Sequence, residues 1–305
     1  MTVKPSHIAV DWGTSRFRAY LAGAGGAVAD RRVSNEGIST VAPGGFPAVL
    51  ERHCGGWLAS SPALPVIMAG MVGSRNGWAE APYAPCPASA TSLAQRLLPL
   101  PCGMAQSVTI IPGLMTRDAD GVADVMRGEE TLLVGAGMQN GIAILPGTHS
   151  KWAQIIDGRI TGFRSFMTGE FYDLLLRHSL LGRLAAEPHD RRGFQRGLAS
   201  AARGARLGLA LTHLAFEART AVLAGDLPGE AVAPFLSGLL IGAEVQSGHA
   251  VFGKPRNVLL IGGEGLTALY QEALELAGVT VRLLDSEACL LAGIDAVRSA
   301  GKSLA

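Results

Sequence analysis

The chain has 305 residues, 48% hydrophobic and 17% charged, with 26 Lys and Arg against 25 Asp and Glu for a formal net charge of +1. An average soluble protein carries roughly 25% charged residues, so this composition excludes disorder and predicts a large buried core shared by about two domains. Near-neutral charge and 6% aromatic residues exclude a nucleic-acid binder, which needs basic surface and stacking rings.

In chain order, Ile8-Ala9-Val10 reads as a short buried strand closed by Asp11-Trp12-Gly13-Thr14-Ser15. Phe17 to Leu21 is a second strand, Gly23 to Gly26 a turn, and Ala27 to Val33 a third strand. Apolar residues at helical spacing predict a helix over 45–60, and Pro65 to Ala69 a buried strand. A Gly/Pro-rich excursion spans Gly70 to Pro87, a short helix lies near 90–98, and Ser107 to Ile111 is a fifth strand. A helix opens near Met126. The order is βββαβαβα.

The same order then recurs. Ile142 to Leu145 is a strand ending in Pro146-Gly147-Thr148-His149-Ser150, and Trp152 to Ile156 and Ile160 to Phe166 flank Asp157-Gly158, a type I′ hairpin signal. Helical segments fill 169–181 and 206–251. Val258 to Ile261 is a strand, Leu266 to Ala277 a helix, Thr280 to Leu283 a strand and Glu287 to Val297 a final helix. Gly13-Thr14 and Gly147-Thr148 thus mark an internal repeat. The expected division is 1–135 and 136–305, each half a mixed five-stranded sheet with helices, an α/β fold.

Two stretches without charged residues, 53–74 and 131–150, have membrane-span length, but their prolines and polar residues make them buried soluble structure. The start of the chain runs into a strand, with no signal-type apolar region. Cys54, Cys86, Cys102 and Cys289 have no metal-type spacing and read as reduced thiols of a cytoplasmic protein.

A tight turn after a buried strand aims backbone N–H groups and a hydroxyl at one point, a concavity suited to phosphate. Gly13, Thr14, Gly147 and Thr148 are therefore candidate phosphate contacts, with His149 and Lys151 beside the second turn. Asp11 supplies a hard oxygen for Mg²⁺. Ile261-Gly262-Gly263 follows a strand and opens a helix, where a planar ring or ribose can lie against the backbone.

These motifs resemble those of the sugar kinase/heat-shock 70/actin superfamily: two phosphate turns at Asp11 to Thr14 and Gly147 to Ser150, and an adenosine motif at Ile261-Gly262-Gly263. More narrowly, the chain resembles the 2-dehydro-3-deoxygalactonokinase family almost end to end. The most specific stretches are Met68 to Trp78, Ala81-Pro82-Tyr83, Val125 to Thr131, Leu145 to Trp152 and Phe166 to Glu170. The second turn departs from the wider superfamily in carrying Pro146 and no acid.

The resemblance implies two ribonuclease H-like (actin-like ATPase) domains around a central cleft. It also implies ATP- and Mg²⁺-dependent phosphorylation of the C6 hydroxyl of 2-dehydro-3-deoxy-D-galactonate in galactonate breakdown. The partners are then ATP and a sugar acid, with no membrane or nucleic acid, and a homodimer is one assembly this allows. An exopolyphosphatase-like hydrolase and a non-catalytic actin-like ATP-binding protein are the alternatives on the same motifs.

Phosphoryl transfer requires alignment, charge neutralisation and a carboxylate to take the hydroxyl proton. Asp124, Glu129 and Glu130 are the candidates, Glu129 first, because Arg127 to Glu130 resembles a superfamily segment carrying a polarising glutamate. For the sugar acid, Ser74, Arg75, Asn76 and Trp78 offer a guanidinium, an amide, a hydroxyl and an apolar ring. Arg75 is the first choice for its carboxylate, with Arg164 and Arg127 in reserve. Tyr83 and Thr168 are further contacts, and Glu244 is a buried acid that either bridges toward the nucleotide or caps a helix.

Overall fold

The computed structural model describes residues 3–101 and 107–304. Cys102 lies outside them, while Cys54, Cys86 and Cys289 are free thiols. By packing, the chain divides into two compact units. The first runs to Asn140 and takes in Gln154–Phe163 and the segment from Leu284 onward. The second comprises Gly141–Ala153 and Arg164–Leu283. A single cut at 135/136 therefore does not describe the packing, because a hairpin end and the last helix group with the first unit.

The chain begins with β1 (His7–Trp12), β2 (Phe17–Ala22), β3 (Val28–Ser34), α1 (Phe46–Ser60) and β4 (Val66–Ala69). β5 (Ala84–Pro85), α2 (Ala90–Ala94), β6 (Leu98–Pro99), β7 (Val108–Ile110), β8 (Leu114–Arg117), β9 (Ala123–Met126) and α3 (Glu129–Gly135) follow. β10 (Gly141–Leu145), β11 (Ser150–Ile156), β12 (Arg159–Phe166), α4 (Thr168–His178), α5 (Arg192–Leu207) and α6 (Leu211–Leu223) come next. The last elements are α7 (Val232–Phe252), β13 (Asn257–Gly262), α8 (Leu266–Leu276), β14 (Thr280–Asp285) and α9 (Ser286–Lys302).

The first sheet has the order β3-β2-β1-β4-β7-β6 and the second β12-β11-β10-β13-β14. The repeat seen in the sequence is thus a repeat of topology. The first sheet has six strands and not the five expected, because Leu98–Pro99 adds antiparallel to β7 at its edge. β1 pairs antiparallel with β2 and parallel with β4, and the register Asp11↔Ala69 aligns the carboxyl ends of two parallel strands. Ligands bind at such ends in open α/β sheets.

The sequence reading missed a third sheet, β5-β8-β9. In it β9 runs antiparallel to β8, Thr116 opposite Asp124. The helix expected near Met126 accordingly starts at Glu129, with Gly128 as its N-cap.

Ile8, Val10, Trp12, Phe17 and Leu50 are wholly buried in the core under the first sheet. Burying each large apolar side chain contributes roughly 1.5–3 kcal/mol. Trp78 packs on this core, its ring stacked on Phe46 at 6.1 Å. α9 is capped by Asp285, whose carboxylate accepts the Ala288 N–H at 2.7 Å. It meets α3 backbone to backbone: a Cβ on Gly135 would lie 1.7 Å from the Cys289 carbonyl oxygen, and one on Gly293 1.9 Å from that of Thr131. This contact fixes α3 and with it Glu129 and Glu130. The hairpin at Asp157 (φ 50°) and Gly158 (φ 70°) has the two positive φ angles of a type I′ turn. Among the described residues no helix is long and apolar enough to cross a membrane.

Candidate active site

In the first unit the β1–β2 turn is tied down through its carbonyls. Gly13 O accepts from Ile38 N at 3.0 Å, and Thr14 O accepts from Ser39 N and the Ser39 hydroxyl. Gly13 N is used by Arg16 O at 2.9 Å, which closes the turn. No protein acceptor meets the amides of Thr14 and Ser15 among the described residues, and both residues are exposed. Fixed carbonyls behind and available amides in front are what an anion-binding turn requires.

Asp11 stands at the mouth of this turn, with Arg18 at 3.3 Å and a quarter of its side chain exposed (26%). Enclosure by the strand ends raises its carboxyl above the ordinary range, opposed by the Arg18 charge. Gly70 (φ 95°) leaves β4 in a conformation L side chains rarely adopt, and its own Cβ would sit 3.3 Å from Asp11 Oδ1. Gly128 (φ 107°) lies against it, an added Cβ being 3.3 Å from Gly70 Cα. Two glycines therefore bring the N-terminus of α3 up to the end of β1.

Of the three acids proposed for that segment, the structure treats each differently. Asp124 lies on β9, ahead of α3; its Oδ1 accepts the Val125 N–H at 2.8 Å. Glu129 is half-buried at the first position of α3 and accepts the Arg127 N–H at 3.0 Å. Glu130 has no exposed surface. It accepts from Gly128 N at 2.7 Å and from the Thr131 hydroxyl at 2.9 Å, and burial with the neighbouring Glu129 charge pushes its carboxyl up to about 8.

In the loop after β4, the Ser74 hydroxyl is spent on Met71 O at 2.7 Å and Trp78 belongs to the core. Asn76 and Arg75 are exposed, and Arg75 makes a 3.8 Å contact to Glu80. Tyr83 is covered by the Arg127 guanidinium at 4.4 Å.

In the second unit the β10–β11 turn is held by α4. Thr148 O accepts Glu170 N at 3.0 Å, and a Cβ on Gly169 would stand 2.5 Å from Gly147 O. His149 pairs with Glu170, both about half exposed. Lys151 is buried, and its ammonium donates to His149 O at 3.1 Å, so it braces the turn from inside. Arg164 lies half-buried on β12 and is engaged by a partner. Gly262 sits 3.9 Å from Pro146 by its added Cβ, which places the end of β13 beside the turn; Gly263 faces open space.

Next to these lies a cavity of about 170 Å³, lined by Gly147, Gly169, Tyr172, Leu240, Leu266 and Tyr270 among others. A larger hollow of about 540 Å³ lies over Arg191, Gln271 and Glu275, with charged walls and none of the motif residues, so it is not the chemical site. Behind the small cavity Glu244 of α7 accepts from Trp152 Nε1 at 2.9 Å, from the Tyr270 hydroxyl at 2.6 Å and from the Thr168 hydroxyl. Burial raises its carboxyl while these donors oppose the rise. Tyr270 and Thr168 also line the cavity. Glu244 thereby ties β11, α4 and α8 to α7.

The family model of 2-keto-3-deoxy-galactonokinase matches residues 11–297. The chain belongs to that family. A candidate 2-dehydro-3-deoxygalactonokinase of Rhizobium meliloti (strain 1021) is 40% identical over 307 residues, covering 98% of this chain and 99% of its own. The 2-dehydro-3-deoxygalactonokinase of Escherichia coli (strain K12) is 38% identical, covering 96% and 98%. The crystal structure of a candidate family member from Sinorhizobium meliloti superposes with a TM-score of 0.88 at 37% identity, covering 98% and 99%. The kinase family's α/β fold is thus shared over 98% of the chain, and the family match includes both motif-bearing turns.

Proposed function

We propose that the protein transfers the γ-phosphoryl group of ATP to the C6 hydroxyl of 2-dehydro-3-deoxy-D-galactonate. The observation that carries this reading is kinship with kinases of that name at 38–40% identity over nearly complete chains. The site chemistry agrees with it. Two glycine turns, the first with available amides at Thr14 and Ser15, suit phosphates, and a half-buried glutamate suits a proton acceptor. Relatives named as kinases favour neither a polyphosphate hydrolase nor a non-catalytic ATP-binding protein. We also assign both sheets to ribonuclease H-like folds, supported by their shared strand order.

Thr14, Gly147 and Thr148 bind phosphate oxygens through backbone N–H groups, and His149 donates to the phosphates from the edge of its turn; Gly13, expected to join them, instead closes the first turn with its N–H on Arg16 O. Gly262, Gly263 and the 170 Å³ cavity receive the adenosine. Mg²⁺ needs only one or two carboxylates besides phosphate and water, so Asp11 alone fits as its protein ligand. When bound, the ion neutralises charge on the transferring group. Glu129 takes the proton as the C6 oxygen bonds to the γ-phosphorus; the β–γ bridging bond breaks and ADP leaves. Glu130 holds the Gly128 turn that aims Glu129. Coupled ADP release over a panel of 2-keto-3-deoxy acids tests the proposal: turnover is expected on the galactonate-derived acid, and ADP release independent of any sugar acid would refute it.

A further inference from the structure

Arg127 joins β9 to the Gly128 turn and is buried, with 8% of its surface exposed. The Tyr83 ring covers one face of its guanidinium at 4.4 Å, and Nη2 donates to Ala81 O at 2.8 Å. Nε and Nη1 have no hydrogen-bond partner among the described residues. Nη1 lies against Gly73, where a Cβ would come within 3.0 Å of it. Gly73 closes the turn that opens the Ser74–Gly77 loop, so the guanidinium sits directly under that loop.

A guanidinium cannot shed its charge by losing a proton, so burying it with donors unused is costly. An unsatisfied buried group in a native structure calls for an explanation, and a ligand that brings the missing acceptor is one. Resting on the kinase reading above, we infer that Arg127, and not Arg75, anchors the carboxylate of the sugar acid.

Three observations select this ligand. A planar carboxylate matches a planar guanidinium, and the Tyr83 face and the Ala81 carbonyl hold Arg127 in one orientation. Arg75 is 87% exposed, so water competes for its charge and its motion must be frozen on binding. The Arg127 backbone N–H bonds to Glu129, which puts anchor and proton acceptor on one turn. The acid's carboxylate and its C6 hydroxyl end one short chain, so the two groups must be neighbours without coinciding.

The test uses the full-length enzyme with Arg127→Lys and Arg127→Ala, reading the KM for sugar acid and for ATP separately. Loss of charge-assisted hydrogen bonds predicts a sugar-acid KM raised on the order of 100-fold in Arg127→Ala. In Arg127→Lys, which keeps charge without the planar fork, the rise is about tenfold. The KM for ATP stays within about twofold in both. Added guanidinium ion lowers the sugar-acid KM of Arg127→Ala, a rescue that a purely structural role would not give.

An unchanged sugar-acid KM in both variants, an equal rise for both substrates, or a large rise in Arg75→Ala instead would overturn the assignment. Should Arg127→Ala fail to fold, the lysine variant alone decides between these outcomes. A wild-type enzyme inactive on this acid overturns the kinase reading along with it. Normal wild-type turnover with unaffected variants overturns Arg127 alone.

Discussion

Replacing Glu130 by Gln isolates the cost of one enclosed carboxyl. In the folded protein this group titrates near 8 against an ordinary value of 4.5. Between those two pH values the folded state binds a proton that the unfolded chain has released. Stability is therefore fully present below about pH 4.5, declines as pH rises toward 8, and levels off above. Each pKa unit corresponds to about 1.4 kcal/mol, so the ceiling on the loss is about 5 kcal/mol. The amide of Gln retains an acceptor for the Gly128 N–H, and the Thr131 hydroxyl can rotate to suit. Glu130→Gln is then as stable as wild type near pH 5 and more stable by several kcal/mol at pH 8.5. Denaturant unfolding of both proteins at half-unit pH steps reads this difference directly. Two parallel pH profiles would show that Glu130 does not titrate in this window and that its burial is relieved in solution. Because Glu130 has no exposed surface, the variant is also expected to keep its turnover at pH 7.

Other substitutions separate the remaining roles. Glu129→Gln is expected to lower kcat by about 10²–10⁴-fold, the range for a lost general base, with nucleotide affinity intact by fluorescence titration. Asp11→Asn should raise the Mg²⁺ concentration for half-maximal activity about tenfold or more, measured by metal titration at saturating ATP. Gly169→Ala pushes a methyl against Gly147 O, 2.5 Å from the added Cβ. A cost of about 1–3 kcal/mol in thermal unfolding and a higher KM for ATP should follow, with the sugar-acid KM unchanged. Glu244→Ala strands the buried Trp152 indole N–H and opens a cavity, costing about 3–5 kcal/mol, whereas Glu244→Gln keeps that acceptor and costs about 1–2 kcal/mol. Equal melting temperatures for the two Glu244 variants would contradict this reading.

The strands β1, β4, β10 and β13 were legible because they are buried on both faces and read as unbroken apolar runs. The two glycine turns were legible because each follows such a run. α5 was not, since its buried side is Gly193, Phe194, Gly197, Ser200, Ala201 and Gly204, one large apolar residue among small ones. It packs backbone to backbone on α7, where a Cβ on Gly197 would lie 2.1 Å from Phe235 O, so no stripe of large apolar residues marks it. β8 and β9 are four residues each with exposed positions, and only Asp120-Gly121 between them hints at a hairpin.

At the site, residue type was readable and burial was not. Arg75 and Arg127 look alike in sequence, and only the arrival of Tyr83 and Ala81 from far along the chain distinguishes them. Glu129 and Glu130 are adjacent, yet one helical step separates a half-buried carboxylate from an enclosed one. The donors that meet at Glu244 come from β11, α4 and α8, a convergence that no local spacing encodes.

The most direct test is to identify the product. Incubating the enzyme with ATP, Mg²⁺ and 2-dehydro-3-deoxy-D-galactonate, and following phosphorus and carbon resonances together, should show one ADP formed per sugar phosphate, with phosphorus coupled to C6. Inorganic phosphate as the phosphorus product, or an ester at another carbon, would contradict the account.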